Sequence, residues 1–162
     1  MNLPRLVVSI VAMAALLVVF SGCSREGMET SERLAGTWTV NSFVESGSFL
    51  GAPITSDILE VDSVSSFTME FTDNTSARGN VGRGDFVWDM VAEGTTYVLE
   101  GTYEVTAEPD QIDMTFNSGS WAELFVENPA NQLLVFNYAE DGSTLSLAGN
   151  INSFTWQIGA SR

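Results

Sequence analysis

The sequence predicts an all-β fold, an antiparallel up-and-down barrel of eight strands, on three observations. Apolar and polar residues alternate with period two in eight separate segments after residue 34. Turn-forming pairs stand between those segments, and the connections are too short for crossover helices, so neighbours must run antiparallel. Each strand then carries one apolar face that needs cover. Eight strands supply it by closing on themselves, which also removes both sheet edges.

The strands follow in order. In the first, Trp38 and Val40 share a face with Gly36. Phe67, Met69 and Phe71 then oppose Thr68, Glu70 and Thr72, and Phe86, Trp88 and Met90 oppose Val87 and Asp89. Tyr97, Leu99, Tyr103 and Val105 alternate with Val98, Glu100, Thr102 and Glu104. Ile112, Met114 and Phe116 follow, then Leu134, Phe136 and Tyr138, then Leu145 and Leu147, and last Phe154, Trp156 and Ile158. Breaks fall at Asp73-Asn74, Glu93-Gly94, Glu108-Pro109-Asp110, Asn128-Pro129, Asp141-Gly142 and Gly149-Asn150, residue types that set or bond their own turns.

Three segments depart from this rhythm. Residues 45–63 mix Gly, Ser and apolar residues and are placed as a lid over a barrel mouth. Residues 73–85 read as either a weak polar strand or a mobile loop, and residues 121–127 as either a ninth strand or a short helix.

Ahead of the barrel, Arg5 precedes an uncharged apolar run from Leu6 to Phe20, followed by Ser21, Gly22 and the single cysteine, Cys23. A charged start, a short apolar stretch and small residues make a secretory signal peptide. The run would span about 22 Å as a helix, short of a roughly 30 Å hydrocarbon core. Residues 24–33 show no apolar period and read as a flexible tether. The expected organisation is therefore a signal peptide over 1–22, Cys23 and a tether over 23–33, and one barrel domain over 34–162.

Composition removes several function classes. Beyond Cys23 there is no cysteine to form a disulfide, a thiolate metal site or a Cys nucleophile. The chain has no histidine, hence neither the commonest metal ligand nor the commonest neutral-pH acid/base. All six of its basic residues are arginines, so Schiff-base chemistry is absent. The formal net charge of −15 repels nucleic acid and anionic membrane. It suits either a salty medium or a basic partner.

Two resemblances add to this reading. Phe20-Ser21-Gly22-Cys23 resembles the lipobox of bacterial lipoproteins. It implies cleavage before Cys23, acylation of that thiol, and anchoring to membrane lipid in the bacterial cell envelope. Ser24 in place of Asp implies the outer membrane. Leu34-Ala35-Gly36-Thr37-Trp38-Thr39-Val40 resembles the opening of a lipocalin or bacterial lipocalin-like domain, which starts its first strand with Gly-x-Trp. It implies that Trp38 packs across the closed end of the barrel beside Gly36. It also implies an arginine stacked on that tryptophan, and Arg162 is the candidate.

The chemistry legible here favours binding over catalysis. Asp85 and Asp89 share a strand face, as do Glu100 and Glu104, but that face is the wet outside of a barrel, and without histidine or lysine the serines lack an ordinary activating base. No enzyme activity and no cofactor are expected. The acidic turns at residues 73–75 and 140–142 lack calcium-loop spacing, so no metal site is expected. The inner face is lined by Phe67, Met69, Phe71, Trp88, Met90, Tyr103, Phe136 and Trp156, among other apolar residues. That lining fits a pocket for a small apolar molecule, and it fits a filled core as well. Two functions follow. One is a membrane-anchored lipocalin-like lipoprotein that binds or carries a small apolar molecule. The other is a filled barrel acting as a structural or protein-interaction module, for instance an inhibitor of a basic partner.

Overall fold

A computed structural model describes residues 26–49, 51–74, 81–105, 111–119, 133–151 and 154–162. The expectations for the signal peptide, Cys23 and residues 121–127 lie outside the described residues. The elements are α1 (Glu26–Leu34), β1 (Gly36–Phe49), β2 (Ala52–Asp57), α2 (Ile58–Val61), β3 (Val64–Phe71) and β4 (Gly82–Ala92). They continue with β5 (Thr95–Val105), β6 (Gln111–Gly119), β7 (Leu133–Glu140), β8 (Thr144–Ile151) and β9 (Phe154–Ser161).

Strands β3 to β9 pair in sequence order, each antiparallel to the next, and β1 pairs with both β3 and β9. This closes an eight-stranded up-and-down barrel, as the alternation predicts. Burial follows the alternation closely: along β4, Gly82, Gly84, Phe86, Trp88, Met90 and Ala92 are buried, and Arg83, Asp85 and Val87 are exposed. The β4–β5 turn shows how sequence sets register. Glu93 and Gly94 both take positive φ, 50° and 79°, the pattern of a two-residue hairpin turn matched to strand twist.

Strand β2 is the element the sequence hides. It pairs with the far half of β1, from Val44↔Asp57 to Phe49↔Ala52, and forms the end of the sheet. Pro53 argues against a strand in the sequence, because it offers no N–H. An edge strand tolerates it, since only one side of the ladder is used. The lid expected over residues 45–63 is therefore corrected: 45–49 extend β1, 52–57 fold back on it, and 58–61 form α2. Asp57 caps α2, its Oδ1 accepting from the Leu59 amide at 3.0 Å. Ile58 is buried in the core and Leu59 packs against it. The open reading of residues 73–85 resolves for its last part, because β4 starts at Gly82.

The tether is corrected as well. Residues 26–33 belong to helix α1, which packs against β4 and β5. Among its described side chains, Thr30, Ser31 and Leu34 are buried. Two of these three are small hydroxyls, so they add little apolar period for the sequence to display.

Candidate functional site

The barrel has two unlike ends. At one end lie the starts of β1, β4, β6 and β8 and the ends of β3, β5, β7 and β9. Helix α1 covers this end. Trp38 is fully buried there, and its Nε1 donates to the Leu34 carbonyl at 2.8 Å. The Arg162 guanidinium lies 4.3 Å from the centroid of the Trp38 ring. Its fork donates to the carbonyls of Arg33 (3.0 Å), Ala35 (3.0 Å) and Gly142 (2.9 Å). One cation thus satisfies carbonyls at the end of α1, favoured by the helix dipole, while stacking on the tryptophan. Tyr138 donates to Thr30 Oγ1 at 3.2 Å, and Arg33 pairs with the buried Glu140 at 3.5 Å. Gly36, at φ 123°, supplies a backbone conformation that a side chain would strain, 3.5 Å from Arg162 measured at its absent Cβ.

The middle of the barrel is packed with rings. Trp88 sits among Phe67 (6.1 Å between centroids), Phe86 (5.8 Å), Phe116 (5.3 Å), Phe136 (6.3 Å) and Trp156 (6.5 Å). Phe43 joins from β1, 5.1 Å from Trp156 and 6.0 Å from Phe67. Edge-on and tilted geometries dominate, as aromatic quadrupoles prefer. Two glycines make room: a Cβ at Gly101 would strike the Phe86 ring at 2.8 Å, and one at Gly149 the Phe136 ring at 2.6 Å. All eight residues predicted to line the interior, Phe67, Met69, Phe71, Trp88, Met90, Tyr103, Phe136 and Trp156, are at most 2% exposed. The structure brings them into one core cluster. Phe71 and Tyr103 lie toward the α1 end, 5.5 Å apart edge-on, and Tyr103 donates to the Thr72 carbonyl at 3.2 Å. Burial, then the charges of Asp73 and Asp85, hold the Tyr103 phenol well above its ordinary pKa, so it stays a neutral donor.

The residue that sequence reasoning missed in this layer is Phe43. Strict alternation from Trp38 and Val40 puts residues 42 and 44 inside. The β1–β9 register slips between Val40 and Ser42, so Asn41 is an extra residue and the parity reverses. The adjacent apolar pair Phe43-Val44 was the available signal.

The opposite end is looser. Leu59, Val64 and Tyr97 are only partly covered and pack against the core from this side. Here β1 leaves β3: their ladder ends at Thr39↔Thr68, and on the same edge β1 next pairs with β2 at Val44↔Asp57. Helix α2 packs where the two strands diverge, in contact with β1 and β3. Beside it runs a cleft of about 220 Å³ lined by Thr39, Val40, Leu59, Val64, Ser65, Ser66, Phe67 and Thr68. Asp62, just after α2, has its carboxyl raised by burial and by the charge of Glu93.

The outer wall carries the carboxylates. Asp85, Glu100 and Glu104 are exposed, Asp89 is half-buried, and Glu104 pairs with Arg83 at 3.0 Å. Among the described residues no group of three acidic, histidine or cysteine side chains converges as a metal site would require.

Among solved structures, the chain is similar to a fluorescence-activating β-barrel designed de novo, with a TM-score of 0.40 and 10% identity, over 82% of this chain and 96% of that one. No family model matches the chain. No curated protein matches it either.

Proposed function

We propose that the protein is a lipid-anchored, lipocalin-like barrel of the bacterial envelope that binds a small apolar molecule, without catalysing a reaction on it. The observation that carries this reading is the asymmetry of the core. At the α1 end the apolar interior is covered and tied by hydrogen bonds. At the other end Leu59, Val64 and Tyr97 leave apolar surface partly open, continuous with an interior of rings and methionines. Apolar surface with a few hydroxyls at its rim is what small-molecule sites are made of. The acyl anchor on Cys23 and the outer membrane as its location rest on the lipobox resemblance alone.

A second reading is favoured by a different observation. The rings around Trp88 occupy the middle of the barrel, which suits a filled scaffold that acts through its acidic outer surface on a protein partner. Native mass spectrometry of the mature protein, taken from its own membrane, separates the two. The expected result is a non-covalent adduct that leaves on denaturation. A bare mass across preparations, with a co-purifying basic protein, would replace the first reading with the second.

A further inference from the structure

Resting on the ligand-binding reading above, we propose that the seat of the small molecule is the side cleft where β1 parts from β3, and that it selects an uncharged compound the size of a single ring or short chain. The central interior offers little room: rings stand 5.3 to 6.5 Å from Trp88. At the cleft the barrel wall itself is interrupted. The β1–β3 ladder stops at Thr39↔Thr68, and residues 40–43 of β1 pass before the next ladder on that edge begins. The floor is apolar. Val40 and Phe67 are 6% and 2% exposed and belong to the core, and Leu59 and Val64 pack against that core while remaining partly open. The rim is a run of hydroxyls, Thr39, Ser65, Ser66 and Thr68.

Size and charge fix the class of ligand. A cleft of about 220 Å³ holds on the order of seven water-sized groups. A sterol is too large; a benzene ring with one hydroxyl fits. Among the described residues no arginine lines the cleft. Asp57, Glu60 and Asp62 lie in or beside the helix that borders it. An anionic head such as a carboxylate would meet hydroxyls and neighbouring carboxylates with no compensating cation, so fatty acids are excluded. A neutral hydroxyl or carbonyl can bond to the rim. Helix α2 is part of the same device. It is four residues long, capped by Asp57, and Leu59 forms one wall of the cleft.

The test is photolabelling of the full chain in a non-ionic detergent with para-(trifluoromethyl-diazirinyl)benzyl alcohol, the labelled residues being mapped by mass spectrometry. The expected result is saturable labelling within residues 39–40, 59 and 64–68. Benzyl alcohol should compete and benzoate should not. Replacing the exposed rim serine by Ser66→Trp should remove most of that labelling, at least tenfold. Saturable labelling elsewhere in residues 34–162 would overturn the cleft as the seat and leave the ligand-binding reading standing. Equal competition by benzoate would overturn the selection for an uncharged ligand. Absence of saturable labelling across the barrel would overturn both. Because mapping on the unaltered chain locates the site, the outcome does not depend on the variant folding.

Discussion

At the scale of single residues, the α1 end of the barrel depends on Trp38 and Arg162. Trp38 is fully buried and anchors α1 through one hydrogen bond. Trp38→Ala leaves a cavity that the surrounding wall cannot fill, and the expected loss is about 3–5 kcal/mol in urea unfolding. A loss below about 1 kcal/mol would contradict its place in the core. Asp141 gives a pH prediction. Its carboxylate accepts from the Ser143 and Thr144 amides and from the Ser143 hydroxyl, which together hold its pKa far below the usual carboxylate range. The folded pKa is depressed, so the stabilisation is present above the unfolded value of about 3.9 and is lost as pH falls below it. The advantage in urea midpoint of the parent over Asp141→Asn should shrink between neutral pH and about pH 2, and a difference independent of pH would contradict this role of Asp141.

At the scale of elements, legibility in the sequence tracked local simplicity. Eight strands announced themselves because each buries one face, so period two is written into the residues. Glu93-Gly94 and Asp141-Gly142 announced their turns for equally local reasons. What the sequence concealed is non-local. Asn41 reverses the parity of β1 only because β9 pairs across it. Helix α1 buries hydroxyls whose partners, such as Tyr138, lie over a hundred residues away. Strand β2 carries Pro53 because its outer side has no strand partner among the described residues. That last point is testable. Pro53→Val restores an N–H and a β-branched side chain to an exposed edge, and the expected outcome is concentration-dependent self-association on size-exclusion chromatography. A strictly monomeric variant would argue that the net charge, rather than the proline, keeps this edge apart. The cleft was the least legible feature of all. Its lining comes from β1, α2 and β3, and its existence depends on one strand exchanging partners midway, which no run of residues records.

At the scale of the whole molecule, the chain carries a formal net charge of −15, and the barrel wall exposes Asp85, Glu100 and Glu104. Self-repulsion of this kind is relieved by salt. The melting temperature is expected to rise by several degrees between low salt and about 1 M sodium chloride, where the screening length falls to about 3 Å. No rise would mean that the carboxylates are already neutralised, as Glu104 is by Arg83. Closure of the barrel has a consequence in time. Strand β1 completes its outer ladder only with β9, in a register that joins Thr39 to Ser161 and Gly47 to Phe154. The core layer that Phe43 shares with Trp156 cannot form before β9 has been synthesised. Such long-range closure makes folding slow. During translation the first strand waits, and the nascent chain remains a thread. A thread offers proteases and aggregation the apolar strands that the closed barrel hides, so the exposure of the early strands lasts until β9 has joined them.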